Sequence, residues 1–381
     1  MKKNISLWFI AILFHFNLTA QDSSHIRISL LTCTPGDELY STFGHSALRL
    51  IDSSSVQDIV FNYGTFSFDD PGFYSKFIRG KLMYFVSTSY FNDFKIDYQS
   101  TNRGITEQVL NLSAEEKIAM QQFLYNNARE ENKYYKYDFL FDNCTTRLRD
   151  IIVQFKKEKP VFKNVVPKGM RFRQAIHEYL DRNQKDWSKL GIDLLLGAPT
   201  DAVMTTTQAQ FLPDYLMKSF DSSTVPQPLV SATKSLYAFN ELNNQQSFFT
   251  PIIVFGFLLV LIIVLDFSKN KWAHIFLQGF DGLLFFLTGA MGILLIFMWL
   301  GTEHAMCKNN FNLLWAWPTH ALAAFFINSK KAWLKKYLFI SIAGLLIVLI
   351  SWFFLPQQLN NSLFIISLLI LYRAIKKYRA F

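Results

Sequence analysis

The sequence predicts an α+β exported domain followed by an all-α membrane domain, on three observations. Lys2 and Lys3 precede an apolar run from Ile5 to Phe16 and the small residues Thr19 and Ala20, the pattern of a secretory signal. From about residue 248 long apolar runs alternate with short basic loops, as in a multi-pass membrane domain. Between these points, strand-like stretches give way after Pro160 to helical spacing. The expected organisation is a signal peptide over residues 1–20, an exported domain over 21–247 and a membrane domain over 248–381. That distribution accounts for a composition 51% hydrophobic and 17% aromatic, a share rare in a purely soluble domain.

In the exported domain, residues 26–33 read as a strand, followed by the turn Pro35-Gly36-Asp37. A second strand begins near His45 and places His45, Ala47, Arg49 and Ile51 on one face. A serine-rich turn over 52–55 leads to a third strand over 58–63. Residues 66–94 are crowded with aromatic side chains, read mostly as core with some dipping toward lipid. Ser113-Ala114-Glu115-Glu116 is a capping box that opens a helix reaching about Ala128. Leu148, Ile151 and Phe155 follow Cys144 by four, seven and eleven residues, so the thiol heads the buried stripe of an amphipathic helix. Asp142 or Asn143 serves as its N-cap. Further helices are expected over 171–180, 185–196 and 209–219, and residues 222–244 read as a polar link to the membrane.

Five membrane helices are expected, over 249–265, 276–300, 313–327, 337–355 and 363–372, the third and fifth needing their flanks to complete a crossing. Lys269 and Lys271, then Lys330, Lys331, Lys335 and Lys336, then Arg373, Lys376, Lys377 and Arg379 fall inside, against Lys308 alone in the outside loops. The first helix therefore starts outside and the C-terminus is cytoplasmic. The net charge of +9 is in part topological and gives little support for nucleic-acid binding.

The chemistry centres on Cys144. In the first turn of a helix, free N–H groups and the macrodipole favour a thiolate, whereas an unperturbed thiol near pKa ~8.5 is only a few per cent ionised at pH 7. A thiol nucleophile also needs a base, and imidazole is the usual one. His25 sits near the start of the mature chain, and His177 lies among charged residues and reads as solvated surface. His45 follows Gly44 at a strand start and is the candidate base. Cysteine on a helix start with histidine on a strand is the papain-like arrangement, and histidine before cysteine is the order of its circularly permuted members. The alternatives are a small buried cysteine and a satisfied core histidine. Cys33, Cys144 and Cys307 are an odd number, which leaves at least one thiol free. No metal-ligand set and no phosphate-binding glycine loop is present, so neither metal nor cofactor is expected; His304 and Cys307 alone make a weak pair.

Asn143-Cys144 resembles the start of the catalytic helix in lecithin:retinol acyltransferase-like enzymes, which also place histidine on an earlier strand. The residues Gly36-Asp37-Glu38-Leu39-Tyr40, Phe43-Gly44-His45, Asn62-Tyr63-Gly64 and Asp142-Asn143-Cys144-Thr145-Thr146 are similar to the exported domain of the Lnb-type lipoprotein N-acyltransferases. The likeness extends to Leu190-Gly191-Ile192-Asp193, Phe211-Leu212-Pro213-Asp214, Glu303-His304 and Asn312-Leu313-Leu314-Trp315, and so spans both domains. It implies that Cys144 is the nucleophile and His45 the base. A third, orienting residue would come from the neighbouring strand, with Asn62 the candidate and Tyr63, facing the other way, the alternative. The loop 301–312 and the residues after it, with His304, Asn312 and Trp315, are expected to bind the lipid substrate; the competing explanation is an ordinary interfacial loop with a tryptophan belt.

The function so implied moves an acyl chain from a membrane phospholipid, through a Cys144 thioester, to the α-amino group of the diacylglyceryl-cysteine of exported lipoproteins. The expected place is the inner membrane, with the catalytic domain in the periplasm. Each buried methylene is worth ~0.8 kcal/mol, so such substrates seldom leave the bilayer and the enzyme must meet them there. Two other functions remain open on sequence: a membrane-anchored papain-like wall peptidase, amidase or lipid hydrolase, and a non-catalytic membrane assembly factor.

Overall fold

The computed structural model describes residues 24–224, 227–238 and 248–381. The expected signal segment 1–20 and residue 247, the expected domain boundary, lie outside the described residues. In chain order the N-terminal part begins with β1 (Ile26–Cys33), β2 (His45–Asp52), β3 (Gln57–Thr65), α1 (Phe73–Ile78), β4 (Met83–Tyr90), α2 (Phe91–Ser100) and β5 (Ile105–Leu110). It continues with α3 (Ala114–Asn127), β6 (Tyr134–Lys136), α4 (Cys144–Phe155), α5 (Phe172–Arg182), α6 (Asp186–Leu195), α7 (Thr206–Ala209), α8 (Pro213–Asp221) and β7 (Val230–Tyr237).

These strands form one antiparallel sheet in the order β6-β4-β3-β2-β1-β5-β7. Its central strands are apolar on both faces because both faces are covered. Leu30, Leu48, Leu50 and Phe61 pack against Leu148 and Ile152 of α4. Leu31, Cys33, Ala47 and Val60 pack against Phe91 and Phe94 of α2. Each such aliphatic side chain contributes about 1.5–3 kcal/mol by leaving water. This explains the imperfect alternation of β2. Its one charged interior residue, Arg49, is paired with Asp58 at 2.7 Å and Glu107 at 3.2 Å, over the ring of Phe91. The helix of residues 114–127 opens on the expected capping box, in which Ser113 accepts from the Glu116 N–H and Glu116 from the Ser113 N–H.

One expectation fails within this sheet. Residues 230–237, read as part of a polar link, form the edge strand β7 paired with β5. An edge strand has one open side, so Ser231, Thr233 and Lys234 sit in it without burial, and the apolar signal is lost.

The C-terminal part is helical: α9 (Pro251–Asp266), α10 (Lys271–Leu300), α11 (Thr319–Ala324), α12 (Ala332–Ser351) and α13 (Asn361–Arg379). Among the described residues two helices are long and apolar enough to cross a membrane, 271–300 and 332–354. The segment expected as a third crossing is broken, with a 3-10 turn over Phe311–Leu314, then Pro318, then the six residues of α11. It lies directly on α10. A Cβ on Gly289 would fall 2.0 Å from the Ala321 nitrogen, and one on Gly292 2.1 Å from the Ala316 oxygen, so glycine alone permits the approach. Buried Arg373 of α13 binds Asp281 of α10 at 2.6 Å and Asp266 of α9 at 2.9 Å, tying three helices together without an unpaired charge.

The two parts meet through α6. The Asn312 side chain donates to Asp193 O at 3.0 Å and Leu194 O at 3.3 Å, Asn310 donates to Leu194 O at 2.7 Å, and Gln357 donates to Leu196 O at 2.9 Å. These are the last carbonyls of α6, which have no partner within the helix and are satisfied from the other domain. Asn360 donates to the Asp193 carboxylate at 2.9 Å, and that carboxylate also binds Arg173 and His177, each at 2.8 Å. His177 is thus half-buried in an ionic network, not solvated surface as its charged neighbours suggested.

Candidate active site

The site lies where β2 begins, β3 ends and α4 starts. Asn143 is the N-cap of α4: its Oδ1 accepts from the N–H groups of Thr145 at 2.9 Å and Thr146 at 2.8 Å, and its Nδ2 donates to Phe139 O and Phe211 O, each at 2.8 Å. A fully bonded cap fixes the first turn, and with it the half-buried Cys144. Gly64, with φ +87°, supports the thiol from below; a Cβ there would sit 3.3 Å from the Cys144 Cβ. Thr145 Oγ1 lies 3.6 Å from the sulfur and 3.3 Å from Ser46 Oγ, which links the helix start to β2.

His45, the first residue of β2, reaches the sulfur. Burial alone would push the thiol up, but the charge and hydrogen bond of His45, the Ser46 N–H and the Thr145 hydroxyl bring it down to about 7. By contrast, burial pushes Cys33 up to about 12 and Cys307 up to about 11, and all three cysteines are free. Cys144 is therefore the reactive thiol of the three. Asn62 Oδ1 lies 3.4 Å from His45 Nε2. Tyr63 points to the opposite face, is buried, and donates to Asn127 Oδ1 at 2.6 Å. Strand parity thus selects Asn62 as the neighbour of the histidine.

The thiol opens into a cavity of about 910 Å³. One side is aromatic, built by Phe66, Phe68, Phe73, Phe77 and Tyr84 with Leu82. The other is polar, with Ser87, Ser89, Asp97, Tyr98 and Arg103. The aromatic stretch 66–94, read as mostly core, is in large part the wall of this cavity. Its Phe73 and Phe77 are spaced four apart on α1, a signal the crowding concealed. The loop after α10 contributes to the lining: Glu303 pairs with Lys81 and Lys136, and the His304 ring sits 3.1 Å from Phe77 O, over Gly80.

Of the residues expected from sequence, Cys144, His45 and Asn62 come together and His304 lines the same cavity. Asn312 and Trp315 do not. They are 0% and 3% exposed, the Trp315 indole donates to Asn312 Oδ1 at 3.0 Å, and Asn312 is spent on the carbonyls of α6. Their polarity serves the joint between domains and leaves no atom for a lipid. Among the described residues no group of side chains suited to a metal is present.

Fold and site define a two-part protein, in which a sheet domain with a cysteine–histidine pair in an aromatic cavity rests on a helical domain with membrane-spanning helices. A family model described as the Lnb N-terminal periplasmic domain matches residues 15–168, and one described as the Lnb transmembrane domain matches residues 243–380. The chain belongs to the Lnb family, as a membrane protein with a periplasmic region. Comparison with curated proteins and with solved structures gives no match.

The electrostatics make a direct prediction. Alkylation of Cys144 by iodoacetamide should rise with pH around a midpoint of about 7, because the thiolate is the reactive form. In His45→Ala the largest lowering influence is gone while burial remains, so the midpoint should move upward. Alkylation rates followed by intact mass from pH 5 to pH 10 check both midpoints, and an unchanged profile in the variant would contradict the pairing.

Proposed function

We propose that this protein is a cysteine-dependent lipoprotein N-acyltransferase. The observation that carries it is the placement of the Cys144–His45–Asn62 group in a cavity with an aromatic wall, lined also by Glu303 and His304 of the membrane domain. A wall peptide or glycan is polar and would suit an open hydrophilic groove, whereas an acyl chain suits this wall and reaches it from the bilayer.

In the first half-reaction the Cys144 thiolate attacks an ester carbonyl of a phospholipid. The new C–S bond raises an oxyanion, for which the Cys144 N–H at the helix start is the donor, since those of Thr145 and Thr146 are taken by Asn143. The C–O bond then breaks, and the leaving lysophospholipid oxygen takes the proton of the His45 imidazolium. In the second, the α-amine of a diacylglyceryl-cysteine attacks the thioester and gives its proton to His45. The C–N bond forms, the C–S bond breaks and the thiolate is restored. Asn62 holds the imidazole in register for both steps. An α-amine near pKa ~8 is about one-tenth neutral at pH 7 and a lysine amine near ~10.4 almost wholly charged, which favours the N-terminus as acceptor.

The same reading makes the N-terminal domain a circularly permuted papain-like fold in the periplasm. A signal peptide over 1–20 precedes it, and five crossings of the inner membrane follow residue 247, with segment 313–327 as a broken third. No metal or cofactor has a part in the reaction, and nucleic acid has none as a partner. Mass spectrometry of lipoprotein N-termini from cells with and without the protein tests it. N-acylated termini should vanish with the gene and return with the wild type but not with Cys144→Ser; termini unaffected by deletion would overturn the assignment.

A further inference from the structure

The polar side of the cavity holds a guanidinium that the chemistry above does not use. Arg103 lines the cavity just before β5, and its Nη2 is buried without a hydrogen-bond partner. Among the described residues no carboxylate lies within ion-pair distance of it; Asp97, on the same side, is exposed and unpaired with it. A buried charged donor left unpaired is costly, and an anionic acceptor is what relieves that cost.

The group is built in rather than stray. Nε donates to Thr34 O at 3.0 Å, and the guanidinium carbon lies 4.5 Å from the centre of the Tyr98 ring. The Thr34 hydroxyl accepts from the Gly104 N–H at 2.8 Å, which holds the backbone beside it. Gly36 packs against the stem: a Cβ there would come within 3.0 Å of Arg103 Cδ and 2.6 Å of Ser41 Oγ. The loop Gly36-Asp37-Glu38-Leu39-Tyr40 has no part in the acyl-transfer steps, and clamping Arg103 gives it one. Across the sheet, Cys33 pairs with His45 on one side and Ile105 on the other, so the base and the approach to Arg103 are two strand spacings, roughly 10 Å, apart.

We propose that Arg103 binds the phosphodiester of the acyl donor, while the donor's ester reaches Cys144 and its chain lies along the aromatic side. This deepens the acyl-transfer reading and rests on it. One glycerol unit joins phosphate to ester, so a single lipid spans both points. The acceptor, with no phosphate of its own, makes no use of Arg103. The planar fork of arginine suits a phosphate better than the point charge of lysine.

The test uses the full chain in mixed micelles, wild type and Arg103→Gln, with labelled phosphatidylglycerol and diacylglycerol of the same chains as alternative donors. The readout is the ratio of their rates of label transfer to Cys144. Wild type should favour the phospholipid, and Arg103→Gln should lower the ratio about tenfold or more, with Arg103→Lys between them. A ratio unchanged in Arg103→Gln, including an equal fall with both donors as a structural role would give, overturns the proposal. A second arm measures equilibrium binding of the two lipids to Cys144→Ala with and without Arg103→Gln. Loss of the phosphate-dependent preference supports the site even if wild type forms no adduct, a result that would instead sink the acyl-transfer reading. Displacement of the lipid by equimolar inorganic phosphate would overturn its assignment to a headgroup.

Discussion

His45→Ala is expected to slow acyl transfer by about 10²- to 10⁴-fold while the protein still folds and inserts. The ring stands at the first residue of β2 and lines an open cavity, so truncating it leaves no sealed void in the core. Two losses combine on the chemistry. The thiol, held at about 7 largely through His45, moves upward and the thiolate fraction falls. On the proposed mechanism, the α-amine would then attack the thioester with no base to take its proton. Asn62→Ala should cost less, because Asn62 orients the ring across a 3.4 Å contact and touches no reacting atom. Single-turnover assays of both half-reactions check this, and near-normal turnover in His45→Ala would move the role of base to His304, the next imidazole in the cavity.

Asp193→Ala is expected to be the most damaging substitution outside the site. Its carboxylate is buried and holds Arg173, His177 and Asn360 at once. Burial favours the neutral form, yet the hydrogen bond and charge of His177, the charge of Arg173 and the Asn360 bond hold it below the usual carboxylate range. Removing it leaves Arg173, itself fully buried, with Asp201 as its remaining carboxylate. Breaking one partner out of such a pair costs about 3–5 kcal/mol. Asn312→Ala, which strips two carbonyls of α6 and the Trp315 indole of their partner, should cost about 1–3 kcal/mol and act on the joint rather than on lipid affinity. Thermal unfolding in detergent and limited proteolysis between the domains report both effects. Wild-type melting of Asp193→Ala would contradict the role given to this network. The sign of the pH dependence follows: a depressed carboxylate stabilises above its unfolded pKa, so its contribution fades as pH falls through its folded value.

What was legible in the chain was local. The cap, thiol and buried stripe of α4 lie within twelve residues, so spacing alone located them. Strands β1, β2 and β3 were visible because their apolar runs are bounded by turns. Parity could not choose between Asn62 and Tyr63, because it depends on which face of β3 meets the histidine. The joint was hidden for a different reason. Asn312 binds carbonyls 118 and 119 residues away, and an asparagine at a membrane boundary looks the same whether it waits for a ligand or satisfies another helix. His177 misled likewise, since its partner Asp193 lies on the next helix. The broken third segment reads as a continuous helix although Pro318 stands within it, because the apolar run masks the breaker.

The most direct test of the account is to capture the covalent intermediate. Purified full-length protein is mixed with phospholipid carrying labelled acyl chains, without acceptor, and intact mass is recorded before and after neutral hydroxylamine. The account predicts a mass increase of one acyl group on Cys144, removed by hydroxylamine, absent in Cys144→Ser and discharged when a diacylglyceryl-cysteine peptide is added. Acylated peptide formed by a protein that never carries the adduct, or formed equally well by Cys144→Ser, would contradict it.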